Sequence, residues 1–126
     1  MNATKLFPRI VVETVPNQQC RPYNINMAIS ESRINSFDFP LRDTSDKYLG
    51  ELGPIGQGIV RKLNQVPGIV SVSISLYCAQ IIIGKAFMWE DDGIDEAVIE
   101  ALKDAFGDRR DEVEIERKDV RGNYRD

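Results

Sequence analysis

Strict alternation of apolar residues and serines between residues 70 and 76 constrains the fold more than any other feature of this chain. The order is Val-Ser-Val-Ser-Ile-Ser-Leu, and a period of two is typical of a β-strand with one buried face. A short turn leads to Ile81-Ile82-Ile83, which opens a returning strand that is apolar on both faces and extends to Phe87. The two segments, 70–76 and 81–87, together predict a β-hairpin.

Two amphipathic helices are predicted from apolar residues spaced three and four positions apart. The first begins at Pro54, a residue suited to the first turn of a helix, and ends before Pro67-Gly68, which together stop a helix. The second has the strongest helical pattern of the chain. Its apolar positions are Ile94, Ala97, Val98, Ala101, Leu102, Ala105 and Phe106.

Earlier segments complete the expected fold. Residues 9–15 are rich in β-branched side chains, residues 23–30 alternate, and residues 37–39 form a short strand or strand extension. The order ββαββα predicts a two-layer α+β domain over residues 1–107, with a mostly antiparallel four-stranded sheet and two helices on one face. One core is expected, formed by Ile59, Leu63, Val72, Ile74, Val98, Leu102 and Phe106.

Residues 108–126 are dominated by charges of both signs and predict a charged tail. Val113 and Ile115 are an alternating apolar pair within it, typical of a short edge strand. Beyond Lys118 we expect a frayed, disordered end.

Composition excludes several classes of function. The chain has no histidine, so mechanisms that need an imidazole base and His-ligated zinc sites are excluded. Its net charge of −4 gives no reason to expect a nucleic acid or an anionic membrane as partner. No signal peptide or membrane span is predicted, which leads us to expect a cytoplasmic protein.

Two sets of residues are weak candidates for a ligand site. The glycine-rich turn Gly53–Gly58 precedes a helix, where the backbone N–H groups of Gly56, Gln57 and Gly58 could hold an anion; a loosely formed first turn is the simpler interpretation. Two separated thiols cannot complete a four-ligand metal site, so Cys20 is a metal candidate only if a homodimer pools it. We expect no cofactor and no catalytic residues.

An apolar patch on the sheet is the stronger candidate. Because Ile81, Ile82 and Ile83 are consecutive in one strand, either Ile82 or its two neighbours must lie on the face that the helices leave open. An exposed apolar patch marks a protein contact, although loops or the tail could equally cover it.

The ordered series of segments resembles the N-terminal domain of Nfu-type iron–sulfur cluster scaffold proteins. The resemblance runs from about residue 9 to residue 106. It is carried by Glu13-Thr14-Val15-Pro16-Asn17, by Ser36-Phe37-Asp38-Phe39, and by the helix that leads into Val66-Pro67-Gly68-Ile69-Val70. The family's cluster-binding C-x-x-C motif belongs to a separate C-terminal domain that has no counterpart in this sequence. The resemblance therefore implies the fold and a link to iron–sulfur assembly, but no cluster site.

These observations lead to one expected function and one alternative. The expected function is a non-catalytic protein-interaction module linked to iron–sulfur cluster assembly or delivery, whose partner is an assembly factor or a client. The alternative is a regulatory domain that binds a small ligand or an anion at the Gly53–Gly58 helix start.

Overall fold

The computed structural model describes residues 7–124, which form one sheet covered by helices. The strands are β1 (Arg9–Thr14), β2 (Cys20–Ile25), β3 (Ile34–Asp38), β4 (Ile69–Ser75), β5 (Cys78–Ile83) and β6 (Glu114–Asp119). The α-helices are α1 (Asp46–Glu51), α2 (Gly53–Leu63) and α3 (Ile94–Lys103). Short 3-10 segments lie at Asp43–Ser45, Asp104–Glu112 and Arg121–Tyr124.

Within residues 7–124 the strands form a six-stranded sheet in the order β3-β4-β5-β2-β1-β6. Neighbours are antiparallel except β1 and β6, which run parallel. The predicted α+β class is right, but the predicted four-stranded antiparallel sheet with two helices is wrong. The described part of the chain has a mixed sheet of six strands and three α-helices.

The charged C-terminal segment contains a strand where the alternating pair Val113 and Ile115 predicts one. This strand, β6, pairs with β1 from Arg9↔Glu114 to Thr14↔Asp119. The interior-facing side of this strand carries Ile115 and Arg117 opposite Ile10 and Val12. The backbone ladder, rather than an apolar face, holds most of this strand in place.

Residues 42–51 are mostly polar but do not form an irregular linker. They form a 3-10 turn and helix α1, which runs almost directly into α2. Leu49 and Leu52 are only 1% exposed, so two apolar side chains anchor an otherwise polar segment. Gly53 separates the two helices with a φ of 84°, a left-handed conformation that glycine adopts readily.

The helices cover one face of the sheet, and the core lies between the two layers. All seven residues predicted for the core are buried there, which confirms that part of the prediction. The opposite face, here called the open face, carries every second residue of each strand. No helix within residues 7–124 is both long enough and apolar enough to span a membrane.

Candidate functional site

A charged cluster lies at one end of the sheet, centred on the carboxylate of Asp95 in the first turn of α3. Asp95 is buried, with its side chain 7% exposed. It accepts hydrogen bonds from the Tyr23 hydroxyl at 2.7 Å, from Arg21 at 2.9 Å and from Arg117 at 2.7 Å. These donors come from β2 and β6, so one carboxylate joins a helix, an inner strand and the edge strand.

The three donors set the charge state of the cluster. Burial on its own raises the pKa of Asp95, but hydrogen bonds from Arg117, Tyr23 and Arg21 outweigh it and hold this pKa below its ordinary value. Burial, and the nearby charge of Asp95, raise the pKa of Tyr23 well above its ordinary range. At neutral pH Asp95 is therefore an anion and Tyr23 a neutral donor.

Arg21 extends this cluster towards the surface. Its guanidinium also bonds to Glu90 at 2.7 Å and lies over the ring of Trp89, 4.7 Å from the ring centre, a cation–π geometry. The Trp89 indole N–H donates to the backbone oxygen of Gln18 at 2.9 Å. The loop between β5 and α3 is thereby fixed to the loop between β1 and β2.

These two loops enclose a cleft of about 510 Å³, here called the end cleft. One wall is formed by residues 14–21 and the other by residues 85–90, with Arg121 at the C-terminal side. Two hydrogen bonds between Gln19 and Ile83 hold the walls together. The side-chain amide of Gln19 donates to the Ile83 carbonyl, and the backbone carbonyl of Gln19 accepts from the Ile83 N–H, both at 2.9 Å. The volume is within the usual range for small-ligand sites.

Of the three consecutive isoleucines of β5, one lies on the open face. Ile81 and Ile83 point into the core, 0% and 1% exposed, whereas Ile82 is half-buried on the open face. There it pairs with Ser71 of β4 and Cys20 of β2. Cys20 also lines the end cleft, so the Ile82 end of the open face and the cleft are continuous.

The two cysteines lie on the open face, in neighbouring strands but far apart. Cys20 pairs with Ile82 and Cys78 with Asn24, an offset of four residues, or about 13 Å along the strands. A disulfide needs Cα atoms within about 7 Å of each other. Burial raises the pKa of both thiols. Among residues 7–124 no cluster of three or more metal-ligating side chains occurs.

The glycine-rich turn has a structural explanation. Gly56 packs against the backbone of the segment that follows β2. A Cβ on Gly56 would lie 2.5 Å from the Ile29 carbonyl oxygen. Gly58 is exposed, and Gln57 bonds to Arg61. The carboxylate of Glu31 already lies where a Cβ of Gly53 would be. A negative group of the chain itself therefore occupies the start of α2.

The end cleft cannot be predicted from spacing, because its walls come from segments about seventy residues apart. The sequence contains one signal of it: Asp95 shares a helical face with Ile99 and Leu102, both buried, and a carboxylate on an apolar face requires partners. The identity of those partners, Arg21, Tyr23 and Arg117, cannot be read from spacing.

Comparison with known proteins shows where this architecture has been seen before. No protein-family model and no curated protein sequence matches the chain. Among solved structures, it is similar to SAV1430 from Staphylococcus aureus, with a TM-score of 0.50 and 12% identity, over 78% of this chain and 98% of that one. It is also similar to a NifU-like protein from Saccharomyces cerevisiae, with a TM-score of 0.55 and 18% identity, over 90% of this chain and 87% of that one. At these identities the likeness concerns the fold alone, and the fold of this chain is NifU-like.

Proposed function

We propose that this protein is a non-catalytic interaction module that acts beside iron–sulfur cluster assembly or delivery. The NifU-like fold and the resemblance of its segments to the N-terminal domain of Nfu-type scaffolds support the link to that process. The observation that carries the interaction role is the uncovered sheet face, on which Ile82 is accessible while its neighbours Ile81 and Ile83 are in the core.

The two halves of the open face differ. On β3 and β4 it carries serines, with the hydroxyls of Ser36 and Ser73 bonded to each other at 2.8 Å, and the exposed Ile34 at the edge. On β5 and β2 it carries Ile82 beside Cys20, both half-buried, whereas Pro22, diagonally opposite, is buried. Protein interfaces have an apolar centre with a polar rim, and this arrangement places the centre near Ile82.

Two features favour a role without chemistry of its own. The buried carboxylate of Asp95 is engaged by Arg21, Tyr23 and Arg117, which leaves it no proton to exchange with a substrate. The thiols of Cys20 and Cys78 are too far apart to hold one metal centre together. A bound cluster would therefore be supplied by the partner protein.

The anion-binding alternative at Gly53–Gly58 gains no support from the geometry. Glu31 places a carboxylate at the start of α2, which repels a second anion. Gly56 is in contact with the backbone of Ile29 and does not face solvent.

The test is comparative capture from the native host with three immobilised proteins. These are the wild type, Ile82→Asp and Ile55→Asp. Ile55 is a matched control, because it is also an exposed isoleucine (44%) but lies on α2, on the helical side. Proteins retained by the wild type and by Ile55→Asp, but not by Ile82→Asp, are identified by mass spectrometry.

We expect iron–sulfur assembly factors or cluster-receiving proteins among the partners that depend on Ile82. With the purified partner, Ile82→Asp should weaken binding by about 2 kcal/mol, roughly thirtyfold, while thermal unfolding shows that the variant is folded. If the partners do not depend on Ile82, or if none of them acts in iron–sulfur metabolism, the proposal fails.

A further inference from the structure

The end cleft is a rigid, partly apolar site that the proposed contact at Ile82 does not use. Its loop 85–90 is held by the Trp89 to Gln18 hydrogen bond and by the Met88 N–H, which donates to the Asp92 carboxylate at 2.7 Å. On this fixed loop, Phe87 and Met88 are 38% and 59% exposed. Because the backbone of this loop is already held in place, binding does not have to order it, which favours recognition.

The charge of the cleft is opposite to that of the molecule. Arg21, Lys85 and Arg121 line it together with a single carboxylate, Glu90, in a chain whose net charge is −4. Glu90 is paired with Arg21, and Arg121 with Asp119. Within residues 7–124 the Lys85 ammonium has no ion-pair or hydrogen-bond partner. A cation beside apolar side chains is thus free to meet a ligand.

We propose that the end cleft binds an acidic peptide segment in which a carboxylate stands next to a bulky apolar side chain. The carboxylate pairs with Lys85 at the cleft, and the apolar side chain packs on Phe87 and Met88. A small inorganic anion would leave these two side chains uncovered. One unpaired lysine on an acidic protein is too little positive charge for a nucleic acid.

The residues of this cleft differ from those of the proposed contact surface at Ile82, although Cys20 borders both. A partner that covers the Ile82 end of the open face could therefore place an acidic segment into the cleft. The proposal about the cleft does not need that partner to belong to iron–sulfur metabolism.

The test is a selection from a displayed library of random heptapeptides against the wild-type protein, with Lys85→Glu and Lys47→Glu in parallel. Lys47 is a matched control, because it is an exposed lysine on α1, away from the cleft. Enriched peptides that lack tryptophan are then titrated by fluorescence. Trp89 is the single tryptophan of the chain and lines the cleft, so its emission reports occupancy there.

We expect enriched sequences with Asp or Glu next to Leu, Ile, Phe or Met, and a change in Trp89 emission on binding. Lys85→Glu should weaken binding by about tenfold or more, Met88→Ser should weaken it as well, and Lys47→Glu should leave it unchanged. Added salt should lower the affinity. No enrichment, basic or neutral consensus sequences, or equal binding to Lys85→Glu would overturn the proposal. Inorganic phosphate or acetate that binds as tightly as the peptides would also overturn it. Because the Ile82→Asp test uses another residue and another readout, the two proposals can fail separately.

Discussion

The hydroxyl of Tyr23 on β2 donates a 2.7 Å hydrogen bond to the carboxylate of Asp95 on α3, in the buried space between the sheet and the helices. An ionised group in such a place must be compensated by partners. Asp95 has three donors, and through Arg21 the same cluster continues to Glu90 and the end cleft. Folding of the core and the shape of the cleft are therefore coupled through one side chain.

Replacement of Asp95 by Asn should destabilise the protein by about 2–4 kcal/mol, because Arg21 and Arg117 lose the anion that compensates them. Urea unfolding measures the change. Glu96→Gln is the control, since Glu96 is the next residue of α3 but exposed, and it should change stability by no more than about 0.5 kcal/mol. Equal effects of the two variants would contradict the central role of Asp95.

Stability should fall in acid in a way that depends on Asp95. Its pKa is lower in the folded protein than its ordinary value of 3.8, so the folded state binds the proton less readily than the unfolded state. The stabilisation from Asp95 is therefore complete above about pH 4 and is lost as the pH falls through the lower, folded-state pKa.

The free energy of unfolding, measured from pH 7 down to pH 2 in the wild type and in Asp95→Asn, isolates this contribution. Other carboxylates such as Asp104 and Asp119 also have lowered pKa values, but they are common to both proteins. We expect the difference between the two proteins to shrink below pH 4. A constant difference would argue against an ionised Asp95.

Arg117→Ala should loosen β6 without unfolding the rest of the sheet. Arg117 is the side chain that bonds this strand to α3, at 2.7 Å from Asp95. In hydrogen exchange, amide protection in β6 should fall by about tenfold relative to the wild type, with smaller changes in β4 and β5. Lys118→Ala is the comparison variant, because Lys118 lies on the open face and, among residues 7–124, makes only a long ion pair of 3.7 Å with Glu116.

Two glycines of α2 should respond to alanine with opposite signs. Gly58→Ala should stabilise the protein by about 0.5–1 kcal/mol, since a Cβ there meets nothing within 4 Å and alanine favours a helix. Gly56→Ala should destabilise it by about 1–3 kcal/mol, since its Cβ would lie 2.5 Å from the Ile29 carbonyl. Thermal unfolding distinguishes the two, and shifts in the same direction would show that α2 packs differently.

The predictable parts of this fold are those in which side-chain periodicity reflects burial. Helices α2 and α3 and the β4–β5 hairpin each bury one face, and their core residues, such as Leu63, Val72 and Leu102, follow from spacing alone. Helix α1 could not be recognised, because only Leu49 and Leu52 near its end are apolar and buried. A segment of six residues with one buried side chain carries too weak a pattern.

The alternating pair Val113 and Ile115 predicts a short strand, but the pairing of β6 with β1 and the end cleft depend on long-range contacts that local sequence does not specify. β6 has the sequence Glu-Ile-Glu-Arg-Lys-Asp, which is typical of a solvated segment, and it is held by a parallel ladder with β1 and by Arg117. The cleft needs Trp89 to meet Gln18, and Arg21 to meet Asp95. The sequence predicts that either Ile82 or its two neighbours face the open side of the sheet. The pairing register of β5 places Ile82 there.

The parallel pairing of β6 with β1 has a consequence for how the chain reaches its native state. The paired residues are about a hundred positions apart, so this ladder closes the longest loop of the fold and should form late. Until it forms, β1 is an open edge whose Ile10-Val11-Val12 run can pair with another chain. During synthesis, protection against aggregation therefore depends on β6, the most hydrophilic strand. Once β6 has paired with β1, its charged side chains form the edge of the sheet and disfavour pairing with another chain.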